Sequence, residues 1–239
     1  MKRYAAFTAR FVLAPIVSGT FVVSATGRAS ALEWAHLITG VTAIYLIFGL
    51  VLLSAKYREI RLPAYVALAG GILEAIPGIP RLHAVIAPIL FAALVWAVMA
   101  LPRGMETARG KPRLILVLPA LVLMPIIYGV GYRHQTSGFL PHILAAMPVA
   151  GMLVVVCVVL NQRHLANTKL RRVCNQLIAV ILLQIVFGIV VFIIRLLELE
   201  GGLLLAIART AHITGAAPVL GICTALAIQY RRTVAHESP

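Results

Sequence analysis

Seven histidines occur in the chain, and four of them, His36, His83, His142 and His212, fall inside long apolar runs. A neutral imidazole in apolar surroundings is costly unless its polar nitrogens find partners. Around these four the sequence repeats itself. Ala35-His36-Leu37-Ile38-Thr39-Gly40 is echoed by Ala211-His212-Ile213-Thr214-Gly215-Ala216, and Gly40, Ala87, Ala146 or Ala216 follows each histidine by four positions. Four positions are one helical turn, so each small residue shares a face with its histidine and leaves room for a flat ligand. An iron with two axial sites takes one imidazole from each of two helices, so the pattern points to haem held between histidine pairs. Zinc or copper fits less well: no helix carries a His-x-x-x-His pair, and no carboxylate or thiolate completes a tetrahedral set. His134, His164 and His236 read as solvated loop or tail residues.

Charged residues near the histidines extend the same reading. Arg81 stands two residues before His83 and Arg209 three before His212. Haem propionates need such cations, although interfacial arginines that set helix depth would look the same. Arg133 and Arg28 are weaker candidates of this kind. The chain has seven acids and no Asp. Glu33 lies three residues before His36, on the same helical face, where it can orient the imidazole or move protons; it also suits a helix N-terminus on electrostatic grounds alone. Glu74 is an intramembrane carboxylate with Arg81 as a candidate structural partner. Asn175, Gln176 and Gln184 read as hydrogen-bonding contacts between helices.

The elements that must position these side chains follow from hydropathy. The chain has 239 residues, of which 62% are hydrophobic, and its mean hydropathy is +1.00. At about 20 residues per span, apolar runs bounded by charges predict eight transmembrane helices at roughly 7–26, 32–54, 62–79, 82–101, 113–132, 138–160, 173–195 and 204–229. The opening segment imitates a secretory signal, but removing it would leave an odd number of spans and break the repeat. The net charge is +14. Its cations fall in short clusters between apolar runs with no basic, aromatic-laced face, which argues against nucleic acid. Sixteen of the 21 Lys and Arg lie on one side of this topology, so the positive-inside rule puts both termini in the cytoplasm and all four histidines at the outer ends of even-numbered helices. Cys157, Cys174 and Cys223 form no CxxC or CxxCH, which excludes covalent c-type haem. The expected architecture is all-α: two tandem four-helix bundles, 1–105 and 106–239, each contributing a histidine pair.

These residues resemble the haem A synthase family of membrane haem-binding oxidoreductases. The likeness spans nearly the whole chain. It includes two similar four-helix halves, the Gly19 to Gly27 stretch ending helix one, Glu33-Trp34-Ala35-His36 as a glutamate-x-x-histidine, and the PRLHAVIAPILFAAL and LLQIVFGIVVFI segments as fourth and seventh helices. The resemblance implies that His36 and His83 flank a substrate haem O, oxidised at its methyl to the formyl of haem A. It implies Glu33 as the catalytic carboxylate, and His142 and His212 as ligands of an electron-transferring haem B. The chain departs from the family pattern at Leu37 and Ile143, where an arginine often follows the histidine, and its short outer loop after helix one lacks the cysteine pair of many members.

Two other functions compete with this one. A non-catalytic di-haem b-type cytochrome, an electron-transfer subunit of a respiratory complex, uses the same histidines, and the short outer loops favour it. A haem-free transporter or scaffold would use Glu74 and the proline-broken helices as a pathway. The expected setting is the inner (cytoplasmic) membrane, with lipid and haem as partners. Haem O synthase, a terminal oxidase under assembly or a quinol are candidates beyond them, and a homo-oligomer is left open.

Overall fold

The computed structural model describes residues 1–24, 30–76, 78–101, 113–199 and 202–237. Arg28, one of the weaker arginine candidates, lies outside them. Among the described residues the regular structure is entirely helical, in the order α1 (Lys2–Phe11), α2 (Leu13–Ser24), α3 (Ser30–Ser54), a 3-10 turn (Arg58–Ile60), α4 (Arg61–Glu74), α5 (Pro80–Ala100), α6 (Arg113–Arg133), α7 (Phe139–Arg163), α8 (Thr168–Leu196) and α9 (Leu203–Glu237). Every predicted apolar run contains helix.

Six segments among the described residues are long and apolar enough to cross a bilayer: Lys2–Val22, Ala31–Ser54, Pro80–Ala100, Phe139–Arg163, Thr168–Leu196 and Leu203–Val234. This is a multi-pass helical membrane protein. The first of these segments is broken between α1 and α2 at Val12, three residues before Pro15. Pro15 has no N–H to give the carbonyl of Phe11, which is where α1 stops. The third run is shorter than expected. Helix α4 has 14 residues and stops at Glu74, and nearby Gly78 has φ +87°, outside the helical range. At about 1.5 Å per residue such a helix reaches some 21 Å, short of the roughly 30 Å hydrocarbon core. Helix α6, with 21 residues, matches the fifth predicted run.

Two cores organise the packing. One gathers Ala5 and Val12, Ala43, Ile47 and Leu50, Ala64 and Ala67, and Leu94 and Ala97, from α1, α3, α4 and α5 and the turn after Phe11. The other gathers residues of α6 to α9, among them Leu118, Leu153, Leu177 and Leu226, with Cys157, Cys174 and Cys223 buried as free thiols. Helix α9 joins the two, packing on α8 and α6 on one side and on α5 and α2 on the other.

The outside of the molecule explains the solvent it needs. On α3, Trp34, Ile38, Val41, Tyr45, Phe48 and Leu52 are exposed at helical spacing, and on α8 Leu182, Val186, Ile189, Phe192 and Leu196 repeat the pattern. Each such side chain forgoes about 1.5–3 kcal/mol if left in water. Against lipid that cost disappears, so these stripes belong to the bilayer.

Candidate functional site: a recurrent histidine clamp

The four histidines sit near helix starts, His36 on α3, His83 on α5, His142 on α7 and His212 on α9. Three of them are held alike. His36 Nδ1 lies 3.0 Å from the carbonyl of Pro15, His142 Nδ1 2.9 Å from that of Pro125, and His212 Nδ1 3.0 Å from that of Gln184. A carbonyl oxygen only accepts, so Nδ1 must carry the proton, and a neutral ring then keeps its lone pair on Nε2. This is the tautomer a metal ligand needs, fixed by a partner outside the coordination sphere.

A glycine four residues beyond each carbonyl completes the clamp. A Cβ at Gly19 would stand 2.6 Å from His36 Cε1, one at Gly129 3.0 Å from His142 Nδ1, and one at Gly188 3.0 Å from His212 Cε1. The imidazoles therefore lie in grooves that only glycine leaves open. The sequence carries this unit as Pro15-Ile16-Val17-Ser18-Gly19, Pro125-Ile126-Ile127-Tyr128-Gly129 and Gln184-Ile185-Val186-Phe187-Gly188. The signal for it in the sequence is the repeated spacing of accepting residue, isoleucine and glycine on the helix that precedes each histidine.

The fourth position departs. Glu74-Ala75-Ile76-Pro77-Gly78 has the matching spacing, but His83 contacts the carbonyl of Ile76 through Nε2, at 2.8 Å. Its free nitrogen in the neutral ring is then Nδ1. The cause is the early end of α4, which replaces a continuous helical groove with a turn. Glu74 keeps a buried carboxylate oxygen with no partner among the described residues, so the structural pairing with Arg81 is not formed.

The two expected pairs differ accordingly. His142 and His212 come together, with ring centroids 6.1 Å apart and planes at 90°. Two metal–nitrogen bonds of about 2 Å, with about 1 Å from each nitrogen to its ring centre, span about 6 Å, so this spacing fits one metal between two imidazoles. Gln184 reinforces it, since its Nε2 donates to the backbone carbonyl of His212 at 2.5 Å while its own carbonyl accepts from His212 Nδ1. His36 and His83 form no ring contact of this kind. His36 is exposed beside a cavity of about 540 Å³ lined by Leu13, Ala14, Val17, Ser18, Phe21 and Leu32, and a Cβ at Gly40 would meet nothing within 4 Å. Glu33 is exposed in the first turn of α3. Among the described residues no group of three or more His, Cys, Asp or Glu converges as a metal site, which leaves histidine pairs as the available donor sets.

Cations collect at the same end. Arg133, closing α6, and Arg209, in the second turn of α9, lie within electrostatic reach of each other, and His134 lies within reach of Arg133 and Arg81. Burial, then Arg133 and Arg81, hold His134 below the usual histidine range, so it is not simply a solvated loop residue. Arg195 donates to the Tyr132 hydroxyl and stacks 5.2 Å from its ring. His164 is not free either: its ring packs edge-on against Tyr230, 6.1 Å away.

No protein-family model matches the chain, and no curated protein matches it.

Proposed function

We propose that this protein is a membrane haem oxidoreductase of the haem A synthase type, with haem B held by His142 and His212 in the C-terminal half and haem O as the substrate of the N-terminal half. The observation that carries the haem reading is the His142–His212 pair, spaced at 6.1 Å with each Nδ1 committed to a carbonyl. The two residues fit the group, which asks of the protein two imidazoles and cations for its propionates. His142 and His212 would hold its iron, and Arg81 and Arg209, with Arg133, would pair with the propionates. When bound, the haem supplies one-electron redox chemistry.

In the N-terminal half, His36 and His83 would flank haem O beside the groove between α2 and α3, and Glu33, on the face of His36, would hold or move the proton that methyl oxidation releases. Oxygen or a peroxide-level oxidant is required for that reaction. Eight spans in two tandem bundles, 1–105 and 106–239, with both termini cytoplasmic, complete this reading; the two separate cores support it.

One observation favours the second reading, a b-type electron-transfer cytochrome. Only the C-terminal histidines are paired, and Glu33 points into open surroundings rather than a closed pocket. Purified protein decides between them by its haem. Haem O or haem A beside haem B in a pyridine haemochrome spectrum and by mass supports synthesis; haem B alone supports electron transfer, and no haem overturns both. In the synthesis case, Glu33→Gln should abolish formyl production while retaining haem.

A further inference from the structure

Helix α8 also carries a stripe whose chemistry changes along its length. Thr168, Arg171, Arg172, Asn175, Gln176 and Ala179 line a cavity of about 500 Å³ over its first three turns. Their spacing of three and four residues places them on one face, and all six are exposed. Beyond Ala179 the same face turns apolar, with Leu182, Leu183, Val186 and Ile189 exposed in turn.

Polar groups in this stripe are not accounted for by the fold. Arg171 gives one N–H to the carbonyl of Leu165 at 3.3 Å and keeps its other donors. Among the described residues no carboxylate forms an ion pair with Arg171 or Arg172. Asn175 accepts from Asn161 Nδ2 at 2.8 Å, which fixes its amide at the cavity wall and leaves its own N–H donors available. Two guanidiniums, a hydroxyl and two amides on one wall are a donor set for a phosphodiester.

We propose that this stripe is a binding site for an anionic phospholipid, its phosphate on Arg171 and Arg172 and its acyl chain along Leu182 to Ile189. The dimensions agree. From Ala179 to Ile189 the helix rises ten steps, about 15 Å, which is the depth of one hydrocarbon leaflet. A free phosphate would use the arginines but has no use for the apolar continuation, and it is the continuity of the two that selects a lipid.

The test is native mass spectrometry of the intact protein released from nanodiscs of equal phosphatidylglycerol and phosphatidylcholine. Wild type should retain phosphatidylglycerol preferentially, and Arg171→Gln/Arg172→Gln should lower that preference about thirtyfold, near the effect of two interfacial cations. Lys56→Gln/Arg58→Gln, which removes two cations elsewhere, should leave it intact. Equal retention of the two lipids by wild type overturns the proposal without any variant being made. So does a preference that survives the arginine double variant, one lost equally in the lysine–arginine control, or full displacement of the lipid by millimolar inorganic phosphate.

Discussion

At the residue scale, what distinguishes the histidines is the neighbour that fixes their protonation. If haem is held as proposed, Gly188→Val should cost the C-terminal one, because the branched side chain needs the volume that the His212 ring fills 3.0 Å from that position. Gly188→Ala, with a single methyl, should shift the ring and lower occupancy less; haem-to-protein ratios of both variants measure this, and full occupancy in the valine variant would refute the clamp. Gln184→Leu removes the amide donated to the His212 carbonyl but leaves the backbone carbonyl that accepts from Nδ1. The expected loss is about 1 kcal/mol of stability with ligation retained, measured as thermal unfolding in detergent beside the absorbance spectrum. His134 responds to pH. Its proton is held less tightly in the folded chain, so the unfolded chain binds it first as pH falls through about 6.5. The contribution to stability is full at high pH, declines as pH drops through the unfolded value, and levels off below the folded one. His134→Gln should therefore flatten the fall in melting temperature between pH 7.5 and 5.5; identical slopes would show that other groups set it. The histidines themselves were legible in the sequence because ionisable groups are rare in apolar runs. Their carbonyl partners were not, since a backbone carbonyl leaves no trace in residue type, whereas the glycines recur at a fixed spacing on the preceding helices.

At the element scale, hydropathy located every helix because a bilayer demands continuous apolar length, but it could not see where the backbone breaks inside a run. Pro15 divides the first run, and α4 stops at Glu74 instead of continuing to residue 79. Only the second break alters the site. The Pro15 carbonyl meets His36 as that of Gln184 meets His212 from unbroken α8, whereas the early end of α4 leaves His83 on Ile76, so the N-terminal pair is not a copy of the C-terminal one. The lipid-facing stripe of α3 makes a sharper prediction. Val41 is 45% exposed and lies near the middle of a 25-residue helix. Val41→Asp should cost about 2.5–3.5 kcal/mol of insertion free energy, whereas Val41→Leu should be neutral. A glycosylation-mapping insertion assay reads both, and equal insertion of the two would place this face against protein instead of lipid.

At the scale of the whole molecule, the question is what makes two cores one protein. Helix α9 supplies one member of the C-terminal histidine pair, His212, and also the main contact with the N-terminal half through α5. That contact is close. A Cβ at Gly221 would stand 2.6 Å from Phe91 Cε1 and 3.2 Å from Val95 Cγ2, and Arg232 donates to the carbonyl of Met99 further along the same pair. Phe91 is buried and cannot swing into solvent to make way. Gly221→Val should therefore force α5 and α9 apart, exposing the seam between the two cores while leaving each core's own contacts in place. The expected result is a lower and broader thermal transition that separates into two, with the His142–His212 pair, carried by α7 and α9, surviving the first. Limited proteolysis between α5 and α6 should accelerate over the same temperature range. A single cooperative transition at reduced temperature would instead mean that the cores have no independent stability and that α9 is the spine of one domain.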